Sequence, residues 1–212
     1  GRKDRNNALF PYYTDDKIHD SKDTTGPITV FIINKEDKDY LWQPFTDNFK
    51  GAYQIKRNIY KNVLGNKVIF EEVNETLQVS FGYAWKNSDK YGFIKESWLS
   101  NQSDNAMNID VVDGLRNILP YGVTTGLQAS MSTLVDGYKK CELIENTGLG
   151  IYTLSSILTD RAEPSEALKA TLVWSSGLAV QNYLFSEKQL DAFKKGEELS
   201  TEESMKGRRG AY

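Results

Sequence analysis

Reactive side chains are scarce in this sequence. Its 212 residues include one cysteine, Cys141, and one histidine, His19. A lone thiol closes no intrachain disulfide, and thiolate zinc sites draw on several cysteines at short spacings. A lone imidazole excludes most metal chemistry and every mechanism that needs a histidine pair. Basic excess is missing too: 26 Lys and Arg face 29 Asp and Glu, a formal charge of −3. No charge-driven grip on nucleic acid is expected from that balance. Nor is there a run of about 18 apolar residues such as a membrane span requires. The longest, Val30-Phe31-Ile32-Ile33, is strand-sized. From these shortages no catalytic, cofactor-binding or metal-ligating residue is expected, and no cofactor.

What is present is material for a core. Hydrophobic residues make up 39% and aromatics 12% of the chain, and a chain of this length buries roughly 70% of its unfolded surface. Residues 1–27 are polar and irregular, punctuated by Pro11 and Gly26-Pro27. From 28 onward the pattern is β. Residues 28–33 are β-branched and apolar, a buried strand. Asn34 to Asp39 is a charged turn, and Tyr40-Leu41-Trp42 begins a strand that Pro44 limits.

Residues 52–99 read as successive hairpins, with a tight turn at Leu64-Gly65-Asn66-Lys67. Leu77, Val79, Phe81, Tyr83 and Trp85 alternate onto one face, and residues 91–99 return antiparallel after the turn at 87–90. Residues 107–115 form a further strand. A helix is expected over 124–140, with Thr124 or Thr125 as cap, an apolar stripe of Leu127, Met131, Leu134, Val135 and Tyr138, and Lys139 and Lys140 at its C-terminus. Strands follow at 150–158 and 167–174, then a helix near 186–196 capped by Ser186. Many strands at regular spacing with an inserted helix predict a mainly β, antiparallel β-sandwich over 28–212. Gly1 ahead of a charged stretch reads as a tag remnant. Gly210-Ala211-Tyr212 reads as the entry to a strand that is cut off, so the expectation is a piece of a longer protein.

Candidate groups weigh toward structure. Neighbours on an extended chain point to opposite faces, so neither Asp15-Asp16 nor Glu71-Glu72 makes a site, and both pairs read as solvated charge. Asp110 and Asp113 could flank a sugar as acid and base, though a turn residue and an outward carboxylate are the simpler reading. Asp160-Arg161 with Glu163-Pro164 reads as a structural loop. His19 reads as a solvated or loop-tethering histidine, and Cys141 as a half-buried inert thiol. Gly148-Leu149-Gly150 lacks the Lys and Ser/Thr of a phosphate loop and precedes a strand. Asn74-Glu75-Thr76 and Asn101-Gln102-Ser103 match the glycosylation pattern. Trp42, Trp85, Trp98 and Trp174 would stack on sugar rings if exposed, yet most lie in apolar strand patterns that favour the core.

Residues 91–120 resemble a known family. Tyr91-Gly92-Phe93-Ile94-Lys95, Trp98-Leu99-Ser100-Asn101-Gln102-Ser103 and Met107-Asn108-Ile109-Asp110-Val111-Val112-Asp113-Gly114-Leu115 are similar to the N-terminal β-supersandwich of cellobiose- and maltose-phosphorylase-like glycoside phosphorylases and hydrolases. The likeness continues through 167–178 and the Phe185-Ser186-Glu187 helix entry. Ala8-Leu9-Phe10-Pro11-Tyr12-Tyr13-Thr14-Asp15-Asp16 also resembles the large bacterial cellobiose-phosphorylase-like proteins. In such enzymes the catalytic carboxylates lie on a following (α/α) barrel. The resemblance therefore implies a noncatalytic accessory domain that braces a catalytic barrel of the same chain or an oligomer interface, in a periplasmic or secreted parent. It transfers no catalytic residue. The fold is shared with galactose-mutarotase-like proteins, whose histidine chemistry His19 alone cannot build. The alternative expectation is a lectin-like module that holds an oligo- or polysaccharide on exposed aromatics.

Overall fold

The computed structural model describes residues 8–11, 21–156 and 169–212. Among these the chain is mainly β, with antiparallel sheets and helices over Thr125–Tyr138 (α1) and Glu187–Lys194 (α2). Contacts divide it into two compact units, residues 29–111 and residues 1–28 with 112–212.

In the 29–111 unit, β1 (Gly26–Lys35, whose first residues belong to the other unit) pairs with β2 (Lys38–Trp42). Their turn places Glu36 and Asp37 both in the left-handed region, as a two-residue hairpin matched to strand twist requires. Then β3 (Ile55–Lys61), β4 (Lys67–Asn74), β5 (Val79–Ser88) and β6 (Gly92–Asn101) form a meander in sequence order. The alternation read from 77 to 85 is realised: Leu77, Val79 and Phe81 are buried together with Phe31, Ile33 and Trp42, and Tyr83 packs against them. Phe31 stacks on Trp42 at 5.2 Å and meets Phe81 edge-on at 5.3 Å. The hairpin thus packs on the four-stranded sheet, the two-layer arrangement of a sandwich.

Glu71-Glu72 corrects the expectation of solvated charge. Glu72 is buried, because its oxygens accept from the Trp42 indole Nε1–H (3.0 Å), the Phe45 backbone N–H (2.8 Å) and Arg57 Nε–H (2.7 Å). A buried carboxylate persists when its lone pairs are satisfied in this way.

In the other unit, β7 (Asn108–Ile118, whose first four residues belong to the 29–111 unit) pairs with β12 (Gly210–Ala211), and β8 (Lys139–Ile144) lies between β9 (Leu149–Leu154) and β11 (Ser204–Lys206), with β10 (Thr171–Val173) on the far side of β9. Ile118, Cys141, Tyr152 and Phe185 form one buried cluster; Leu119, Val123, Val135 and Leu154 form a second. The N-cap of α1 is Thr124, whose hydroxyl accepts from Leu127 N–H at 3.1 Å. Its far end departs from expectation. The helix is broken at Met131 and stops at Tyr138, and Met131, Leu134 and Tyr138 are exposed while Val135 is buried. Lys139 and Lys140 open β8 instead of closing the helix. Ser186 is the N-cap residue of α2 but its hydroxyl donates to Glu202, whose carboxylate also takes the Phe185 and Ser186 N–H groups. The parts of the expected strands at 157–158 and 167–168 lie outside the described residues.

Candidate functional site

The site is built by register. Along β5 the residues facing away from the Phe81 core are Ser80, Gly82 and Ala84, all small. Gly82 stands opposite Trp98 of β6 on one side and Glu71 of β4 on the other, and Glu71 stands opposite Asn58 of β3. Trp98, Gly82, Glu71 and Asn58 therefore share one row across four strands, about 14 Å long at ordinary strand spacing. Next to it run Glu96, Ala84, Ile69 and Tyr60.

Gly82 is what lets Trp98 lie over the sheet. A Cβ at residue 82 would sit 2.5 Å from the Trp98 six-membered ring and 2.8 Å from its Nε1. With only hydrogen there, the indole covers the glycine and keeps 37% of its own surface exposed. At the other end of the row, Asn58 Nδ2 and the Tyr60 hydroxyl both donate to Glu71 Oε2 at 3.0 Å. These bonds hold the carboxylate in place, and among the described residues Oε1 accepts none. Bonding to Glu71, with slight burial and the adjacent charge, raises the Tyr60 hydroxyl above its ordinary 10.0. Glu96 pairs with Lys86, whose hydrogen bond and charge hold its carboxyl below the ordinary 4.5. The face thus offers an apolar ring, a fixed carboxylate, a carboxamide and a phenol, suited to stacking on a ring with C–H faces while bonding its hydroxyls.

The sequence-derived candidates fall elsewhere. Asp110 and Asp113 are exposed and three positions apart on β7, so they face opposite sides of the strand and do not converge. Trp42 is core, as expected, and Trp85 is half-buried with its ring edge-on to Phe93. Trp98 and Trp174, at 37% and 47% exposure, are not, which corrects the expectation that most tryptophans serve the core. Asn74 is buried and its side chain accepts from Leu77 N–H, whereas Asn101 is exposed. Cys141 is fully buried on β8, and burial pushes its thiol up to about 12. Gly148 and Gly150 serve packing: side chains at these positions would strike Tyr183 and Tyr212. Asp15, Asp16, His19, Asp160, Arg161, Glu163 and Pro164 lie outside the described residues. Glu71 and Tyr60, with Asn58, are the site residues the sequence reading missed.

Elsewhere in the 29–111 unit a cavity of about 330 Å³ is walled by the β1–β2 turn, Gln78 and residues 103–108. No aromatic side chain lines it. Among the described residues no group of three or more His, Cys, Asp or Glu side chains could hold a metal ion. No helix of the described residues is long and apolar enough to cross a membrane. No protein-family model matches the chain, and no curated protein matches it in sequence.

Proposed function

We propose that the chain is a noncatalytic accessory module of a carbohydrate-active protein, and that it holds a saccharide on the outer face of the β3–β6 sheet. The observation that carries this reading is Trp98, exposed over Gly82 and aligned with the anchored Glu71 carboxylate. Pyranose rings present C–H faces to the indole and hydroxyls to Glu71 Oε1, Asn58 and Tyr60. The β3–β4 hairpin tip, with Val63 and Leu64 almost wholly exposed, suits docking against a neighbouring domain in such a parent.

The test is isothermal calorimetry of the chain against a panel of gluco-, manno- and xylo-oligosaccharides. Binding is expected with at least one of them, and Trp98→Ala should weaken it about 30-fold, the ~2 kcal/mol typical of an aromatic anchor. Trp174→Ala should leave it unchanged. Absence of heat with the whole panel, or a Trp98→Ala variant that binds like the parent, sinks the reading.

A further inference from the structure

Lysine is almost never fully buried, and a buried ammonium demands partners. Lys139, at the start of β8, keeps 1% of its side chain exposed. Its Nζ lies 2.6 Å from Asp136 Oδ1 and 3.2 Å from Asn117 Oδ1. Asn117 is equally enclosed, at 2% exposure. It sits near the end of β7 with φ +57°, an uncommon conformation for a side-chain-bearing residue. Its Nδ2 donates to Thr25 Oγ1 at 2.9 Å, which leaves Oδ1 directed at the lysine. Val135 lies one turn before Lys139 and Leu154 is its register partner on β9, and both are buried. The outer oxygen of Asp136 meets Arg209 Nε at 3.4 Å.

An enclosed amine and an enclosed carboxamide thus meet a carboxylate that is partly open to solvent. The carbonyl carbon of Asn117 is one C=O bond, about 1.23 Å, behind the Oδ1 that Nζ already meets at 3.2 Å. Groups held this way react with effective molarities far above any solution concentration, and a carboxylate bonded to the amine is placed to carry protons.

We propose that Lys139 and Asn117 become joined by an intramolecular amide bond, with Asp136 as proton carrier. Asp136 Oδ1 takes a proton from the ammonium. The freed Nζ lone pair forms the Nζ–Cγ bond while the carbonyl π pair moves to Oδ1. Asp136 passes its proton to Nδ2 and takes the second from Nζ. The Cγ–Nδ2 bond then breaks, its electron pair leaves with nitrogen as ammonia, the carbonyl re-forms, and Asp136 gives its second proton to the ammonia. In sum, an ammonium and a primary carboxamide give a secondary amide and an ammonium ion, with no oxidant or co-reactant. The bond ties the end of β7 to the start of β8 around α1.

The test is the intact mass of the purified full chain under denaturing conditions, with tandem mass spectrometry of its tryptic digest. The expected mass is about 17 Da below the sequence value, the loss of ammonia. One fragment should contain residue 117 linked to residue 139, which separates the bond from a cyclised asparagine. Lys139→Met, Asn117→Ala and Asp136→Asn should each restore the uncrosslinked mass. A parent chain at its full sequence mass overturns the proposal. A loss of about 18 Da also overturns it, since water loss would place the bond on Asp136. The decisive reading is on the parent chain, so it stands even where a variant fails to fold. It is also independent of whether the sheet face binds sugar.

Discussion

Removing the Glu72 carboxylate should cost more than removing the cation that faces it. In Glu72→Ala the Trp42 indole N–H, inside the core, loses its acceptor at 3.0 Å. An unpaired buried donor of this kind costs about 1–3 kcal/mol. The Phe45 N–H, part-buried, loses a bond to a charged acceptor at 2.8 Å, and the deleted methylenes leave a small void. Arg57 contributes less, because its side chain is 44% exposed and turns to solvent, where such pairs contribute about 0–1 kcal/mol. The expected loss for Glu72→Ala is therefore about 3 kcal/mol, against about 1 kcal/mol or less for Arg57→Ala. Urea unfolding followed by tryptophan fluorescence measures both, since Trp42 reports on the same core. Equal losses, or a Glu72→Ala loss below about 1 kcal/mol, would show that the Trp42 and Phe45 bonds carry no weight and refute the reasoning.

Cys141 makes a pH prediction. Its thiol ionises at about 12 in the folded chain against an ordinary 9.0, so above pH 9 the unfolded chain sheds a proton that the native one keeps. Stability should fall as pH rises from about 9 toward 12, and Cys141→Ala should flatten that decline without abolishing it, because burial also raises the Tyr152 hydroxyl. Denaturant midpoints at successive pH values read both slopes; a Cys141→Ala slope equal to the parent's would contradict it. Gly210→Ala should destabilise by about 1–3 kcal/mol through overpacking, since its Cβ would lie 2.7 Å from the Tyr152 ring and 2.9 Å from Cys141 Sγ. A thermal melt indistinguishable from the parent's would show that β12 shifts freely.

The hairpin frame was readable because period-two patterns and turn residues are local. The run from Leu77 to Trp85 shows which side of β5 faces the core, and a threonine at 124 or 125 announces α1 from the residue type alone. What failed needed knowledge from another strand. Lys139, Cys141 and Leu143 alternate inward on β8, but a lysine at the first inward position hides the period, and the apolar residues before it extend the apparent helix. Its burial depends on Asn117 and Asp136, and Asn117 lies 22 positions away. The β8–β11 and β7–β12 pairings likewise bring together segments distant in sequence, with only Met205 and Ala211 as apolar signal in the later strands.

The candidate site shows the same limit in its sharpest form. Trp42 and Trp98 are the same residue in similar strand contexts, yet one is core and the other lies on the outer face. What separates them is parity. Trp98 pairs with Gly82, not with Phe81, because the turn between Ser88 and Gly92 sets the β5–β6 register where it does. A one-residue slip would bring Trp98 to the core side and carry Leu99 outward. Glu71 and Glu72 divide by the same rule, one to the outer face beside Gly82 and the other inward to Trp42. An outer face and a face that packs are thus written in alternate letters of the same strands, and only the turn lengths say which letter belongs to which.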